Sequence, residues 1–243
     1  MKKLTALSFA VCATLSFTSP VNAEAWGYGE GNGPNTWGKV SATCDQGQNQ
    51  SPVDIETNKL TSANKQPLAF DYQGEVKNIV NNGHTIQVNV TGKNTLSIDD
   101  QDFELKQFHF HTPSENTING KAAPLEAHFV HANQQGQLAV VAVMYKRGER
   151  ESAQLENIVH TLPAKAQTIT PEKTVQLNEL LPRVKDYYRY NGSLTTPPCS
   201  EGVRWLVLRD PQFIPQQQLK RLSKTMGDNA RPTQALNARL ILN

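Results

Sequence analysis

QFHFHTPSE, residues 107–115, alternates aromatic and histidine side chains within a run of strand-forming residues. Side chains along a strand point to opposite faces in turn, so His109 and His111 share a face with Gln107 while Phe108 and Phe110 take the other. The phenylalanines read as core, and the histidines line something else. Outward from this stretch lie KNIVNN, HTIQVNV, NTLSID, DFELKQFHFH, LEAHFV and LAVVAVMY. All are short, rich in β-branched and aromatic residues, and punctuated by Asn-Gly, Thr-Gly, Asp-Asp and Gln-Gly turns. The pattern predicts a mainly β fold, α+β with few short helices, around a large, mostly antiparallel, twisted central sheet.

Helical spacing is confined to residues 151–162, with Leu155, Ile158, Val159 and Leu162 in register, and to short surface segments at 172–181 and 215–224. Residues 26–64, rich in Gly, Asn, Gln, Ser and Thr, read as a long irregular arm laid over the sheet. With 243 residues and no repeat or linker, the chain is expected to form one domain over residues 24–243.

Residues 1–23 read as an export address. Lys2 and Lys3 precede a largely apolar run from Leu4 to Phe17, and Val21-Asn22-Ala23 offers small residues for cleavage. The segment is too short for a membrane span, and no later stretch approaches the roughly 20 apolar residues that a spanning helix needs. Cleavage removes two of the 24 basic residues and none of the 22 acidic ones, which leaves the mature chain close to neutral. With no long basic run, nucleic acid and anionic lipid are excluded as partners. A periplasmic location is expected, with full secretion the alternative; monomer and homodimer both stay open.

Of three cysteines, Cys12 leaves with the export segment. Cys44 and Cys199 remain, and an oxidising compartment favours their pairing. Closing so long a loop is worth about 5 kcal/mol at most in the chain-entropy account.

A third histidine for the 109/111 pair comes from EAHFVH, residues 126–131. As a strand it places Glu126, His128 and Val130 on one face and Ala127, Phe129 and His131 on the other. His128 keeps company with a carboxylate able to hold its far ring nitrogen, as metal-bound histidines require, whereas His131 lies on the core side and reads as a hydrogen-bonded buried ring. Left without a metal, three clustered rings would each need partners at about 1 to 3 kcal/mol per unpaired nitrogen. Three neutral imidazoles without a thiolate suit Zn²⁺ and leave one tetrahedral position open, the mark of catalysis rather than of a structural clip.

In chain order WGYG (26–29), NQSPVDI (49–55), NNGH (81–84), QFHFH (107–111), SE (114–115), EAHFVH (126–131), LAVVAV (138–143), GSLTTPPCSEGVRW (192–205) and NARP (229–232) together resemble the alpha-class carbonic anhydrases over essentially the whole mature length. The resemblance implies that fold and a zinc lyase hydrating carbon dioxide to bicarbonate and a proton by zinc-hydroxide attack, a family that serves as a standard example of three-histidine catalytic zinc. It implies His109, His111 and His128 as ligands, with Gln107, Glu126 and Asn229 as their outer partners. Thr195 would accept a hydrogen bond from the nucleophile and donate to Glu115. Thr196 would sit at the bicarbonate site, and Val130, Val140, Leu194, Val203 and Trp205 would form the apolar wall for CO₂. His84, after the Asn82-Gly83 turn, would ferry the product proton, and esters are plausible side substrates. A Cys44–Cys199 bridge would hold the Thr195–Pro198 loop against the arm. Only three residues separate His111 from Glu115, where many animal members carry a longer insertion. His160 matches nothing and reads as surface or structural.

Two rivals are weaker. His109-x-His111-x3-Glu115 also fits a cupin metal motif with Glu115 as ligand, but that motif wants Gly at 103, where this chain has Phe. A non-catalytic binding module on the same fold would have lost a ligand, and here all three histidines, Thr195 and Glu115 are present.

Overall fold

The computed structural model describes residues 26–149 and 152–243. The export segment expected at 1–23 lies outside them.

Fourteen strands run in chain order: β1 (Asp54–Ile55), β2 (Ala69–Tyr72), β3 (Glu75–Asn81), β4 (Ile86–Thr91), β5 (Asn94–Ile98), β6 (Gln101–His111), β7 (Thr117–Ile118), β8 (Lys121–Ala122), β9 (Leu125–Ala132), β10 (Leu138–Arg147), β11 (Thr168–Ile169), β12 (Tyr187–Ser193), β13 (Glu201–Leu208) and β14 (Gln212–Ile214). Eleven form one sheet with β11-β3-β4-β6-β9-β10-β13-β12 as its spine; β5 hydrogen-bonds β6, β2 pairs β5, and β14 pairs β10. Within this sheet pairing is antiparallel except at β10–β13 and β10–β14. β1, β7 and β8 make a separate three-stranded sheet.

The expected helix at 151–162 is α2 (Ala153–Val159) among the described residues. The Ser152 side chain caps it by accepting from Leu155 N, and Leu155, Ile158 and Val159 are buried. The segment 215–224 is α3 (Gln216–Met226). At 172–181 the expectation fails: only a 3₁₀ turn, Leu177–Leu180, forms there. Gln176 is extended and Pro182 closes the segment, while Val175, Leu177, Leu180 and Leu181 all go into the core, so the apolar spacing reports burial of a loop. The arm holds a 3₁₀ turn (Pro34–Lys39) and one turn of helix, α1 (Thr43–Gln46).

Two apolar clusters lie on the two faces of the spine. One takes Phe103, Leu105, Phe108, Phe110, Ala127 and Phe129 together with residues of α2 and α3. The other takes Val140, Ala142, Met144, Val203, Trp205 and Val207 with Val53 and, from β1, Ile55. β10 contributes to both, which is why LAVVAVMY is apolar throughout rather than alternating.

β6 carries a bulge. Leu105 opposes His131 and Gln107 opposes Val130, so Lys106 is the extra residue. Before it the odd positions Phe103 and Leu105 are buried in the core; after it the even positions Phe108 and Phe110 are. The bulge is also where β6 changes neighbour, from β5 (Thr95↔Glu104) to β4 (Asn89↔Gln107).

Candidate metal centre

β6 and β9 place the three histidines by register: His109 stands directly opposite His128, and His111 opposite Glu126. One ring nitrogen from each of His109, His111 and His128 falls within a 4.8 Å set, and these three form a group able to hold a metal ion. The remaining nitrogens are committed. His109 Nδ1 donates to Gln107 Oε1 at 2.9 Å, and His111 Nδ1 to the Asn229 carbonyl at 2.8 Å. His128 Nε2 faces Glu126 Oε1 at 3.2 Å, outside good hydrogen-bond alignment. Nε2 of His109, Nε2 of His111 and Nδ1 of His128 are thereby left toward one another.

Several features test the fit of a cation. His111 Nε2 and Glu115 Oε2 are buried without a hydrogen-bond partner, a costly state that a metal and its water would relieve. All three rings are held neutral: burial pushes each pKa down, aided at His109 by His111 and His128 and at His128 by His111. Neutral imidazole is the form that ligates. Three imidazoles without a thiolate fit zinc.

Glu126 anchors the inner side of the site. Its Oε2 accepts from Glu115 N at 2.7 Å and Asn116 N at 2.9 Å, and its Oε1 from Asn116 Nδ2 at 2.8 Å. Glu115 is also fully enclosed. Burial pushes its carboxyl well up, opposed by a hydrogen bond from the Thr195 side chain and by the Arg231 N–H, which donates to Oε1 at 2.9 Å. Glu115 Oε2 lies 3.5 Å from His111 Nε2 and 3.8 Å from His128 Nδ1. The metal-capable group is nevertheless the three histidines without it.

Val140, Val203 and Trp205 are buried in the second apolar cluster with Val130 and Leu194 packed against them, and the His128 and Trp205 rings meet edge-on at 4.8 Å. Thr195 and Thr196 sit in the loop between β12 and β13, which Leu194 N closes by donating to the Ser200 carbonyl at 3.0 Å. A disulfide joins Cys44 to Cys199 across 5.0 Å between Cα atoms. Ser41 Oγ, donating to the Pro198 carbonyl, and Gln50 Nε2, donating to the Cys199 carbonyl, tie the arm to the same loop.

Asn229 departs from the simplest expectation. Its backbone, not its amide, holds His111, while the side chain accepts from Thr112 N and donates to the carbonyls of His84 and Phe110. His84 follows a tight turn at Gly83 (φ 87°), and its ring stacks on Trp26 at 3.8 Å. Burial and Lys165 lower its pKa. His131 is on the other face, accepting from the Tyr72 hydroxyl at 2.6 Å. His160 is exposed at the end of α2.

Three contributors carried no signal of their own in the sequence. Asn116, next to Glu115, accepts from the Tyr190 hydroxyl and Val53 N as well as bracing Glu126. Buried Arg231 donates to Gln50 Oε1 and to the carbonyls of Ser51 and Cys44. Tyr28, whose phenol is pushed up by burial and by Glu115, lies against the Trp37 and disulfide cluster. Arg231 and Tyr28 fall inside quoted motifs, and only their charge or aromatic character could have marked them.

The sequence model of the eukaryotic-type carbonic anhydrase family matches residues 32–243. A carbonic anhydrase of Pectobacterium carotovorum is 46% identical over 98% of this chain and 97% of its own. The alpha-carbonic anhydrase of Photobacterium profundum superposes with a TM-score of 0.88 at 54% identity, covering 90% of this chain and 100% of that one. The alpha-carbonic anhydrase of Thermovibrio ammonificans, solved in complex with the inhibitor sulfanilamide, gives 0.88 at 45% identity over 90% of this chain and 99% of that one.

Proposed function

The chain belongs to the eukaryotic-type carbonic anhydrase family, and from that premise we propose that it hydrates carbon dioxide reversibly to bicarbonate and a proton at the three-histidine centre. The observation that carries this reading is the convergence of three neutral rings beside Glu115 at the edge of an apolar cluster.

His109, His111 and His128 would hold zinc. When bound, zinc supplies a Lewis acid that makes water nucleophilic near neutral pH, behaviour for which carbonic anhydrases are the standard example. Its charge would favour the ionised form of Glu115 against burial. The Thr195 hydroxyl, donating to that carboxylate, keeps only lone pairs for a partner at the centre, so a group with a proton to give is selected there. Val130, Val140, Leu194, Val203 and Trp205 offer CO₂ an apolar wall, which suits an uncharged molecule with no demand for donors. Thr196 borders the position that bicarbonate leaves. Gln107, Glu126 and the Asn229 carbonyl fix ring orientation and tautomer.

His84 would take the product proton at a ring nitrogen. A pKa below the ordinary 6.5 leaves the ring neutral and able to accept at pH 7. His84→Ala is expected to lower turnover in weak buffer and to recover with added imidazole; unchanged turnover removes His84 from the mechanism. Small activated esters are expected to be hydrolysed at the same place. The Cys44–Cys199 bridge supports export to an oxidising compartment; processing after residue 23, a periplasmic location and one domain over residues 24–243 rest on the sequence pattern.

The direct test joins metal analysis to stopped-flow CO₂ hydration. One zinc per chain with hydration well above buffer is expected, and full zinc occupancy without hydration sinks the reading.

A further inference from the structure

A cavity of about 400 Å³ opens on the same sheet face as Val140 and Trp205, beyond the far end of β10, and the chemistry above makes no use of it. Its floor is apolar: Met144 and Tyr188 are 7% and 8% exposed, and Ile118 packs against the same cluster. Its rim carries the cations Lys121, Lys146 and Arg209 from three different strands or strand ends, and no carboxylate lines it. Lys121 and Lys146 are exposed and have no ion pair among the described residues, and the Arg209 guanidinium lies over the Tyr188 ring at 5.4 Å. Like charges gathered around one opening repel unless something of opposite sign sits among them.

The wall of the cavity is also well braced. Ala123 exchanges hydrogen bonds with Ser114, donating to its Oγ at 2.8 Å and accepting from its N at 2.9 Å. Met144 stands in register with Glu126. The cavity therefore neighbours the Glu126 end of the metal centre without including any residue of that centre.

We propose that this cavity binds a small amphipathic organic anion. A carboxylate, sulfonate or phosphate head would sit among Lys121, Lys146 and Arg209, and an aromatic or branched aliphatic body would rest on Met144, Tyr188 and Ile118. The volume fits a ligand of modest size, and the pairing of apolar floor with a few convergent charges is the usual make-up of such sites.

The test uses zinc-loaded protein with ¹³C-methyl methionine and 4-phenylbutyrate as the probe. Met226, whose sulfur lies by the Thr85 hydroxyl next to the His84 turn, serves as an internal control on the other side of the fold. The Met144 signal is expected to move saturably at millimolar probe while Met226 stays still. In Lys121→Ala/Lys146→Ala, whose side chains are exposed and have no ion pair among the described residues, about tenfold more probe is expected for the same shift. An unmoved Met144, a shift indifferent to the two lysines, or Met226 moving together with Met144 would each overturn the proposal.

Discussion

His128 and Phe129 are neighbours in β9 and equally inaccessible to water, yet they are kept in place by different physics. Phe129 stacks on Phe108 at 4.8 Å and belongs to a cluster held by volume and area. His128 belongs to a face where position is set by polar contacts, with Asn116 holding Glu126 beside the ring. One face tolerates exchange of shape for similar shape; the other tolerates little exchange of atoms. A residue lost from the first should cost stability, and a residue lost from the second should cost metal and chemistry.

The sharpest way to break the contrast is His128→Ala. It is expected to abolish stoichiometric zinc retention and to bring CO₂ hydration down to buffer level, measured by metal analysis and stopped flow; retained zinc with near-native rates would refute the ligand assignment. Phe129→Ala should do the converse, lowering unfolding free energy in urea by about 3 to 5 kcal/mol while one zinc per chain survives below the transition.

His131 sharpens the contrast, since it is the polar member of the apolar face. Burial lowers its pKa to about 4. Between that value and the ordinary 6.5 the unfolded chain takes up a proton that the folded ring refuses. Stability is thus full above the unfolded value and falls as pH drops toward 4, by roughly 3 kcal/mol at most. Urea titrations at neutral and acid pH should show a shallower pH dependence for His131→Gln than for the unmodified chain, and equal slopes would remove His131 as a source. The smallest effect is expected at Gln107→Ala, where zinc affinity should weaken about 10- to 100-fold with little change in melting temperature, as read by competition with a chelator.

The two faces were legible in the sequence to different degrees. Alternation in QFHFH and EAHFVH separated Phe108, Phe110 and Phe129 from His109, His111 and His128, because a period of two carries directional information. The partners that brace the polar face come from distant parts of the chain, as Arg231 and the Asn229 carbonyl do, and no local pattern encodes such closure. Backbone donors and acceptors are silent for a further reason: any residue supplies them. That is why Asn229 could be marked as a partner of the histidines while the atom it uses could not. The failed helix at 172–181 has the same origin, since Val175, Leu177 and Leu180 report what the core needs and not how the backbone reaches it.

The bulge at Lys106 separates two parts of β6 that share β9 on one edge and take β5 and then β4 on the other. Upstream, the Asp99–Asp100 hairpin sets pairing with β5; downstream, β4 and β9 set the position of the rings. A strand without that extra residue would turn His109 and His111 to the core face that Phe103 and Leu105 occupy. With it, one strand stays on one neighbour, β9, while serving the core above the bulge and the metal centre below it.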